Sequence, residues 1–244
     1  MLDTPTDCLD NPFLKDGSHV SLDVRNYCDG RVLLGCVRDD AAAVVFFDPQ
    51  YRGVMDKMKY GNEGQRQRRR FEMEQMPEEM IVSFFQDIDR VLRPSGHLFL
   101  WVDKFHLCEG ISNWTMGTRL EIVDLLTWNK GKIGMGYRTR RKSEYLIILQ
   151  KAPKRAKGVW TKHNIPDVVE EKISDRGHVH QKPVLLQTAL LEATTNPGDL
   201  IIDPAAGSFS IMEAAHRLPG RHFLGSDLVK FGGGTPDPDD AASV

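Results

Sequence analysis

The sequence predicts an α/β fold, because apolar runs suited to strands alternate with amphipathic runs suited to helices. Residues 41–47 form a continuous apolar run, as expected of a strand buried on both faces of a sheet. Residues 77–92 open with Pro77, Glu78 and Glu79 and then repeat apolar side chains at helical spacing. With 244 residues, of which 41% are hydrophobic, the chain can build one large domain over residues 1–244.

The later elements follow in the same alternating order. Residues 93–96 read Arg-Pro-Ser-Gly, which ends the helix and leads into a strand at 97–102. Two further strands are predicted at 120–128 and 144–150, paired around a basic turn that contains glycine. The second part of the chain then has a helix at 184–195, a strand at 200–202, a turn at 203–208 into a helix ending near 218, and a strand at 222–225.

Composition and charge narrow the class of protein. No apolar run reaches the roughly 20 residues of a membrane span, and the acidic N-terminus does not have the pattern of a secretion signal. The four cysteines include no Cys-x-x-Cys pair, which argues against a zinc site and against a disulfide framework. We therefore expect a cytoplasmic protein with no membrane contact and no bound metal.

Basic side chains are segregated along the chain, although the net charge is −2. Residues 129–163 contain eleven Lys and Arg against Glu144 as the only acid, and residues 64–70 contain four Arg and no acid. A solvated surface is the simpler explanation of one such run, whereas with two runs a face that contacts phosphates is an equal alternative. The residues that we assign to this face are Arg66, Arg68, Arg69, Arg70, Arg138, Arg140, Arg141, Lys142, Lys154 and Arg155.

Residues 48–51 read Asp-Pro-Gln-Tyr and directly follow the predicted strand at 41–47. The Asp48 carboxylate and the Pro49 carbonyl can accept both protons of an exocyclic –NH2 group, and Tyr51 can stack on the ring that carries it. Asp-Pro turns are also common after strands, so the pattern gains weight only from support elsewhere in the chain.

A second turn has the composition of a nucleotide-binding cradle. Residues 203–208 (Asp-Pro-Ala-Ala-Gly-Ser) join a strand to a helix, and their small side chains permit close approach of a ligand. Asp227 ends the next strand, about 20 residues on, where an acid can bind the hydroxyls of a ribose. A plain strand-to-helix connection is the simpler alternative. The lack of GxGxxG and GxxxxGK[ST] motifs disfavours nicotinamide enzymes and P-loop phosphotransferases.

Taken together, three motifs resemble those of the amino-methylating DNA methyltransferases of the β order. They are Asp-Pro-Gln-Tyr at 48–51, His-Val-His-Gln-Lys-Pro at 178–183 and Asp-Pro-Ala-Ala-Gly-Ser at 203–208. The family writes them DPPY, HPTQKP and DPFxGSG, with the catalytic motif before the segment for S-adenosylmethionine (SAM). The resemblance runs from roughly Asp29 to Leu228. It implies a Rossmann-like SAM-dependent methyltransferase sheet with permuted motif order.

The resemblance also implies how the single domain is organised. Residues about 29–150 would be the catalytic half, about 151–177 a short basic recognition insert, and about 178–228 the SAM-binding half. We expect residues 229–244 to be a disordered tail. Because the chain ends soon after Asp227, we expect the last helix and strand of the common methyltransferase sheet to be missing.

Residue roles follow from the resemblance position by position. Asp48 and Pro49 would hold the target amino group, and Tyr51 would stack on a flipped base. Lys182 and Ser208 would face the carboxylate of SAM. The residues implied for cofactor binding are Phe47, Asp48, Gln181, Lys182, Asp203, Ala205, Gly207, Ser208 and Asp227.

The activity implied is methyl transfer from SAM to N6 of adenine in double-stranded DNA, as in a restriction-modification system. An acid in the first motif position is the usual adenine form of the family. Cytosine N4 and adenine in RNA are alternative acceptors. The departures at Gln50, Ala205 and Phe209 leave open a weakly active DNA-binding subunit that requires a partner. A short recognition insert implies a short target site, a homodimer, or both.

Overall fold

One eight-stranded sheet, in the order β1-β8-β7-β2-β3-β5-β4-β6, organises the chain in a computed structural model. The structure describes residues 11–49, 76–134, 138–173 and 181–228. The strands are β1 (Arg25–Asn26), β2 (Ala42–Phe47), β3 (Leu92–Val102), β4 (Leu120–Asn129), β5 (Ser143–Lys151), β6 (Val168–Glu170), β7 (Leu200–Asp203) and β8 (His222–Ser226).

Helices cover both faces of this sheet. They are α1 (Gly30–Gly35), α2 (Glu78–Val91), α3 (Lys104–Glu109), α4 (Ser112–Thr115), α5 (Val184–Thr194) and α6 (Ser210–His216). Side chains of α1, α2 and α4 pack into one apolar cluster, and side chains of α5 and α6 pack into another. Because helices lie on both faces, the central strands are buried on both sides.

The central strand β2 connects the two clusters. All six of its residues are buried, as the continuous apolar run predicts. Val45 and Phe47 belong to the cluster under α2, whereas Val44 and Phe46 belong to the cluster under α5 and α6. The alternation follows from the two-residue period of a strand.

Strand directions bring several chain segments to one edge of the sheet. The strands β8, β7, β2 and β3 are parallel, so their carboxyl ends meet at the same edge. Because β5 is antiparallel to β3 and β4 is antiparallel to β5, the turn at 130–142 lies at that edge too. We call this edge the catalytic edge, since Asp48, which the resemblance predicts to be catalytic, follows β2 there. The segment after β5 begins at the opposite edge.

The structure confirms the predicted α/β fold and the longer predicted elements. The helix predicted at 77–92 is α2, and the strands predicted at 120–128 and 144–150 are the antiparallel pair β4 and β5. Strand β3 begins earlier than predicted, at Leu92, since the Arg-Pro-Ser-Gly segment stays within it and produces a register shift against β2.

Short elements at the sheet edges were not predicted. Strand β1 pairs with β8 in parallel, so the N-terminal part of the chain supplies the outermost strand of the sheet on the β8 side. Strand β6 pairs with β4, which returns the irregular segment after β5 to the catalytic edge. Two- and three-residue strands carry too little periodicity to be recognised from sequence.

Packing of α1 against the β7–α6 turn can be tested with two glycines of the same helix. A Cβ at Gly30 would lie 2.1 Å from the Pro204 carbonyl oxygen, whereas a Cβ at Gly35 would meet nothing within 4 Å. Gly30→Ala should therefore lower the free energy of unfolding by about 1–3 kcal/mol through overpacking.

Chemical denaturation of both variants measures this effect. Gly35→Ala is the matched control, and its midpoint should stay at or slightly above that of the parent protein. Equal stability of the two variants would show that α1 does not press against the turn.

Candidate active site

Three carboxyl groups converge at the catalytic edge of the sheet. Asp48 follows β2, Asp203 ends β7 and Asp227 follows β8, and these three strands are neighbours. Asp203 is buried and its carboxyl accepts the Ala205 N–H at 3.2 Å. Burial, together with the negative charges of Asp48 and Asp227, raises the pKa of Asp203 to about 8, although the Ala205 hydrogen bond and the Lys182 charge oppose this shift.

Such a cluster favours a cationic ligand, because a positive charge nearby is attracted by the acids and favours the ionised form of Asp203. SAM carries a sulfonium and an ammonium group, so its charge fits this position. Among the described residues, no group of three or more His, Cys, Asp and Glu has an arrangement that could hold a metal ion. No helix in the described ranges is long and apolar enough to cross a membrane.

The predicted turn at 203–208 has open space at its glycine. Gly207 adopts φ +50°, and a Cβ built on it would meet no atom within 4 Å. Its N–H donates to Asp227 Oδ2 at 3.0 Å, which ties the turn to the end of β8. The Ala206 N–H donates to the Ser226 carbonyl at 2.9 Å. The turn therefore holds Ala205, Gly207 and Ser208 beside Asp227 with open space above Gly207.

Phe209 departs from the family pattern, and the structure shows how its side chain is accommodated. It has φ 59° and ψ 34°, the left-handed conformation that glycine adopts at least cost. The Phe209 ring is nonetheless buried, lies edge-on to Tyr27 at 6.4 Å, and has the Arg25 guanidinium 5.2 Å from its centroid. Burial of the aromatic ring offsets the backbone strain here.

Lys182 joins the first and second motifs. Its Nζ lies 2.9 Å from Asp48 Oδ2 and 2.8 Å from Glu144 Oε2, and it stands 4.7 Å from the centroid of the Trp101 ring. Burial alone would lower the pKa of Lys182, but Asp48 and Glu144 outweigh it and hold the pKa above its usual value. The resemblance implied that Lys182 faces the SAM carboxylate, whereas in this structure its ammonium contacts two protein carboxylates. Gln181 precedes it and is partly buried.

The residues that flank Asp48 differ in which of their groups a ligand could contact. The Phe47 side chain is fully buried against Phe84, with ring centroids 4.8 Å apart, so only its main chain is left for a ligand. Pro49 is buried at the mouth of β2. Tyr51 and Gln50 lie outside the described residues.

The predicted basic face divides between the two edges of the sheet. Arg138, Arg140, Arg141 and Lys142 lie in the turn between β4 and β5, at the catalytic edge. Lys154 and Arg155 lie past the other end of β5, about 27 Å away along a nine-residue strand. Arg66, Arg68, Arg69 and Arg70 lie outside the described residues.

The contacts of these basic residues agree with that division. Lys154 pairs with Glu121 at 2.7 Å, and the Arg155 N–H donates to Gln150 Oε1 at 2.7 Å. At the catalytic edge, Arg140 Nε donates to the Gly134 carbonyl at 2.7 Å within its own turn. Of the described basic residues predicted for the DNA face, those of this turn therefore lie at the same edge of the sheet as Asp48.

Two residues of the site were missed by the motif comparison. Glu144 accepts from both Lys182 and Lys130, and Lys130 Nζ lies 2.9 Å from Glu144 Oε1. The available signal was that Glu144 is the only acid within residues 129–163. A single acid within a basic segment, close to the start of a strand, indicates an ion pair, and a nearby lysine is the simplest partner to expect.

Comparison with known proteins connects this geometry to a family. Residues 126–231 match the model of a family described as DNA methylase. The chain is 53% identical over 207 residues to the Type II methyltransferase M.HhaII of Haemophilus parahaemolyticus, and the alignment covers 84% of this chain and 90% of that protein.

Solved structures share the fold at lower identity. The M1.HpyAVI–SAM complex has a TM-score of 0.59 at 17% identity, covering 83% of this chain and 91% of that one. The PvuII DNA methyltransferase, which is cytosine-N4-specific, has a TM-score of 0.64 at 14% identity, covering 84% and 81%. These likenesses confirm the methyltransferase-type sheet.

The buried carboxyl predicts an unusual dependence of stability on pH. The folded-state pKa of Asp203 lies near 8, above the value of 3.8 that an unperturbed Asp has. Between these values the folded state binds more protons than the unfolded state, so this group makes stability fall as pH rises from about 4 to about 8. Asp203→Asn should remove that fall and should unfold at higher denaturant than the parent protein at pH 7.5.

Denaturation curves at several pH values between 4.5 and 8.5 measure this difference. The exposed Asp167 supplies the control, and Asp167→Asn should follow the parent protein throughout. Parallel pH profiles for the parent protein and Asp203→Asn would contradict the burial argument.

Proposed function

Since the chain belongs to the DNA methyltransferases of the N6/N4 family, we propose that it transfers the methyl group of SAM to N6 of adenine in duplex DNA. The observation that carries the proposal is the position of Asp48 at the end of β2, beside the end of β7 that leads into the open turn at 203–208, with Asp227 after the following strand β8. An amino group bound at Asp48 would lie beside a cofactor bound at that turn. The acid at the first position of the motif favours adenine over cytosine.

The acceptor side of the site consists of hydrogen-bond acceptors. The Asp48 carboxylate and the Pro49 carbonyl would each accept a hydrogen bond from one N–H of the exocyclic amine. Two such hydrogen bonds favour a pyramidal nitrogen with its lone pair directed outward. A ring amine is a poor nucleophile because its lone pair is delocalised, so this change raises its reactivity. Asp48 would also take the proton that the nitrogen loses. Tyr51 would stack on the flipped base.

The cofactor side consists of the open turn and its acids. SAM supplies the methyl group on a positively charged sulfur. Asp227 and the ionised form of Asp203 would favour that positive charge, Asp227 would bind the ribose hydroxyls, and Gly207, which precedes Ser208, leaves room for close approach. Because the chain's residues position the two reactants and create the local field, catalysis would come mainly from orientation and electrostatics.

The DNA face that we propose is the β4–β5 turn together with the basic segment after Tyr51. The turn contributes Arg138, Arg140, Arg141 and Lys142 at the catalytic edge, and the segment contributes Arg66, Arg68, Arg69 and Arg70. Phosphate contacts close to the reactive pocket would fix the duplex so that one base can rotate into it. Lys154 and Arg155 are left out of this face because they lie at the opposite edge.

Nucleoside analysis tests the proposed reaction. Unmethylated plasmid DNA is incubated with labelled SAM and the protein, digested, and examined by mass spectrometry. We expect N6-methyladenine from the parent protein, and a loss of at least about 100-fold in rate for Asp48→Ala with SAM binding retained, since the acceptor of the amine protons is removed.

The other outcomes have distinct meanings. N4-methylcytosine would overturn the choice of base and keep the amino-methyltransferase class. Absence of any methylated nucleoside, with SAM binding also absent, would favour a subunit that requires a partner. Asp167→Ala controls for the loss of an exposed aspartate that is not among the predicted site residues.

The salt dependence of DNA binding tests the proposed face. Each phosphate contact that is lost should reduce the slope of log K against log salt by about 0.9. Arg138→Ala combined with Arg141→Ala should therefore weaken binding and flatten the slope, as measured by fluorescence anisotropy with a labelled duplex.

A matched pair at the opposite edge provides the control. Lys154→Ala combined with Arg155→Ala removes the same number of positive charges and should leave the slope unchanged. Equal effects of the two pairs would place the DNA across both edges of the sheet and contradict the proposed face.

A further inference from the structure

Glu144 is an acid at the catalytic edge that takes no direct part in the proposed reaction. It lies at the start of β5, at the catalytic edge, and each of its carboxylate oxygens accepts from a different lysine. Oε1 lies 2.9 Å from Lys130 Nζ and Oε2 lies 2.8 Å from Lys182 Nζ. Two cations on opposite oxygens fix the carboxylate in one orientation.

The same contacts keep Glu144 ionised. Burial would raise the pKa of Glu144, but Lys182 and Lys130 outweigh burial and lower the pKa to about 2. A full negative charge is therefore present beside Lys182 throughout the neutral pH range.

Lys182 stands between Glu144 and the catalytic carboxylate. Its ammonium lies 2.8 Å from Glu144 Oε2 and 2.9 Å from Asp48 Oδ2, with the Trp101 ring 4.7 Å away. A lysine ammonium is a point charge on a flexible stem, so its position depends on the groups around it. Glu144 and Asp48 share one cation, and the four charges, with Lys130 included, sum to zero.

We propose that Glu144 is a positioning residue for methyl transfer, because it fixes the Lys182 ammonium and thereby sets the orientation and charge of the Asp48 carboxylate. The inference rests on the proposed function, since it concerns the residue that would receive the amine of the target base.

The consequence of losing Glu144 follows from electrostatics. With a neutral side chain at position 144, the Lys182 ammonium would lose one of its two carboxylate partners, and its charge would be directed at Asp48, which it already contacts at 2.9 Å. The ammonium would then compete with the amine of the base for the same carboxylate. The rate of methyl transfer should fall, while the turn at 203–208 and its SAM contacts stay unchanged.

Single-turnover kinetics with the full chain tests the inference. Rates are measured with saturating unmethylated plasmid DNA and labelled SAM, and the SAM dissociation constant is measured by calorimetry. Glu144→Gln should lower the rate by about 10- to 100-fold, the size expected of a misplaced catalytic group, and should change SAM affinity less than about twofold.

A double-variant comparison separates positioning from a purely structural role. Since Glu144 acts through Lys182, Glu144→Gln combined with Lys182→Met should be no slower than Lys182→Met alone. Multiplied losses would overturn the inference. Glu121→Gln is the matched control, because Glu121 lies on β4, pairs with Lys154 at the opposite edge, and should leave the rate unchanged.

Failure of the inference can be told apart from failure of the proposed function. If the parent protein forms no methylated nucleoside, the proposed function fails. If the parent protein methylates DNA and Glu144→Gln does so at the same rate, only the positioning role fails. Should Glu144→Gln not fold, Lys130→Met removes the second anchor of Glu144, and an unchanged rate in that variant would overturn the inference.

Discussion

The arrangement of the site depends on the balance of charge between the carboxyl groups at the catalytic edge and the Lys182 ammonium that they share. Asp48, Asp203 and Asp227 meet there because β2, β7 and β8 are parallel neighbours. Their mutual repulsion adds to the burial that raises the pKa of Asp203, and Lys182 offsets part of it. A cationic ligand would complete the compensation. The sheet thus brings the carboxyl groups that would attract a cationic cofactor to the same edge as the residue that would bind the methyl acceptor.

The packing beneath this edge keeps the acids in place. Every side chain of β2 is buried, so Asp48 emerges from a strand that is held on both faces. The N-terminal α1 contacts the turn after β7, and β1 covers β8 on its outer side. Phe209 keeps its left-handed backbone under a buried ring. Elements distant in sequence therefore support the same turn, which suits a site whose catalysis depends on orientation.

Sequence reasoning predicted what depends on periodicity and motif order. The buried run at 41–47, the helix ending at Val91 and the hairpin of β4 and β5 all carry strong local patterns, and the structure confirms them. The contacts of Lys182 depend on tertiary structure, since its partner Glu144 lies 38 residues away. The placement of Lys154 at the far edge likewise follows from strand direction, which a count of basic residues does not contain.

Proton release on SAM binding tests the electrostatic account most directly. At pH 7 the raised pKa of Asp203 keeps its carboxyl protonated, and a bound cation would favour its ionised form. Calorimetric titration of SAM in buffers of different ionisation enthalpy counts the protons exchanged. The account predicts that the parent protein releases more protons than Asp203→Asn, by up to about one per site. Equal proton release by the two proteins would contradict it.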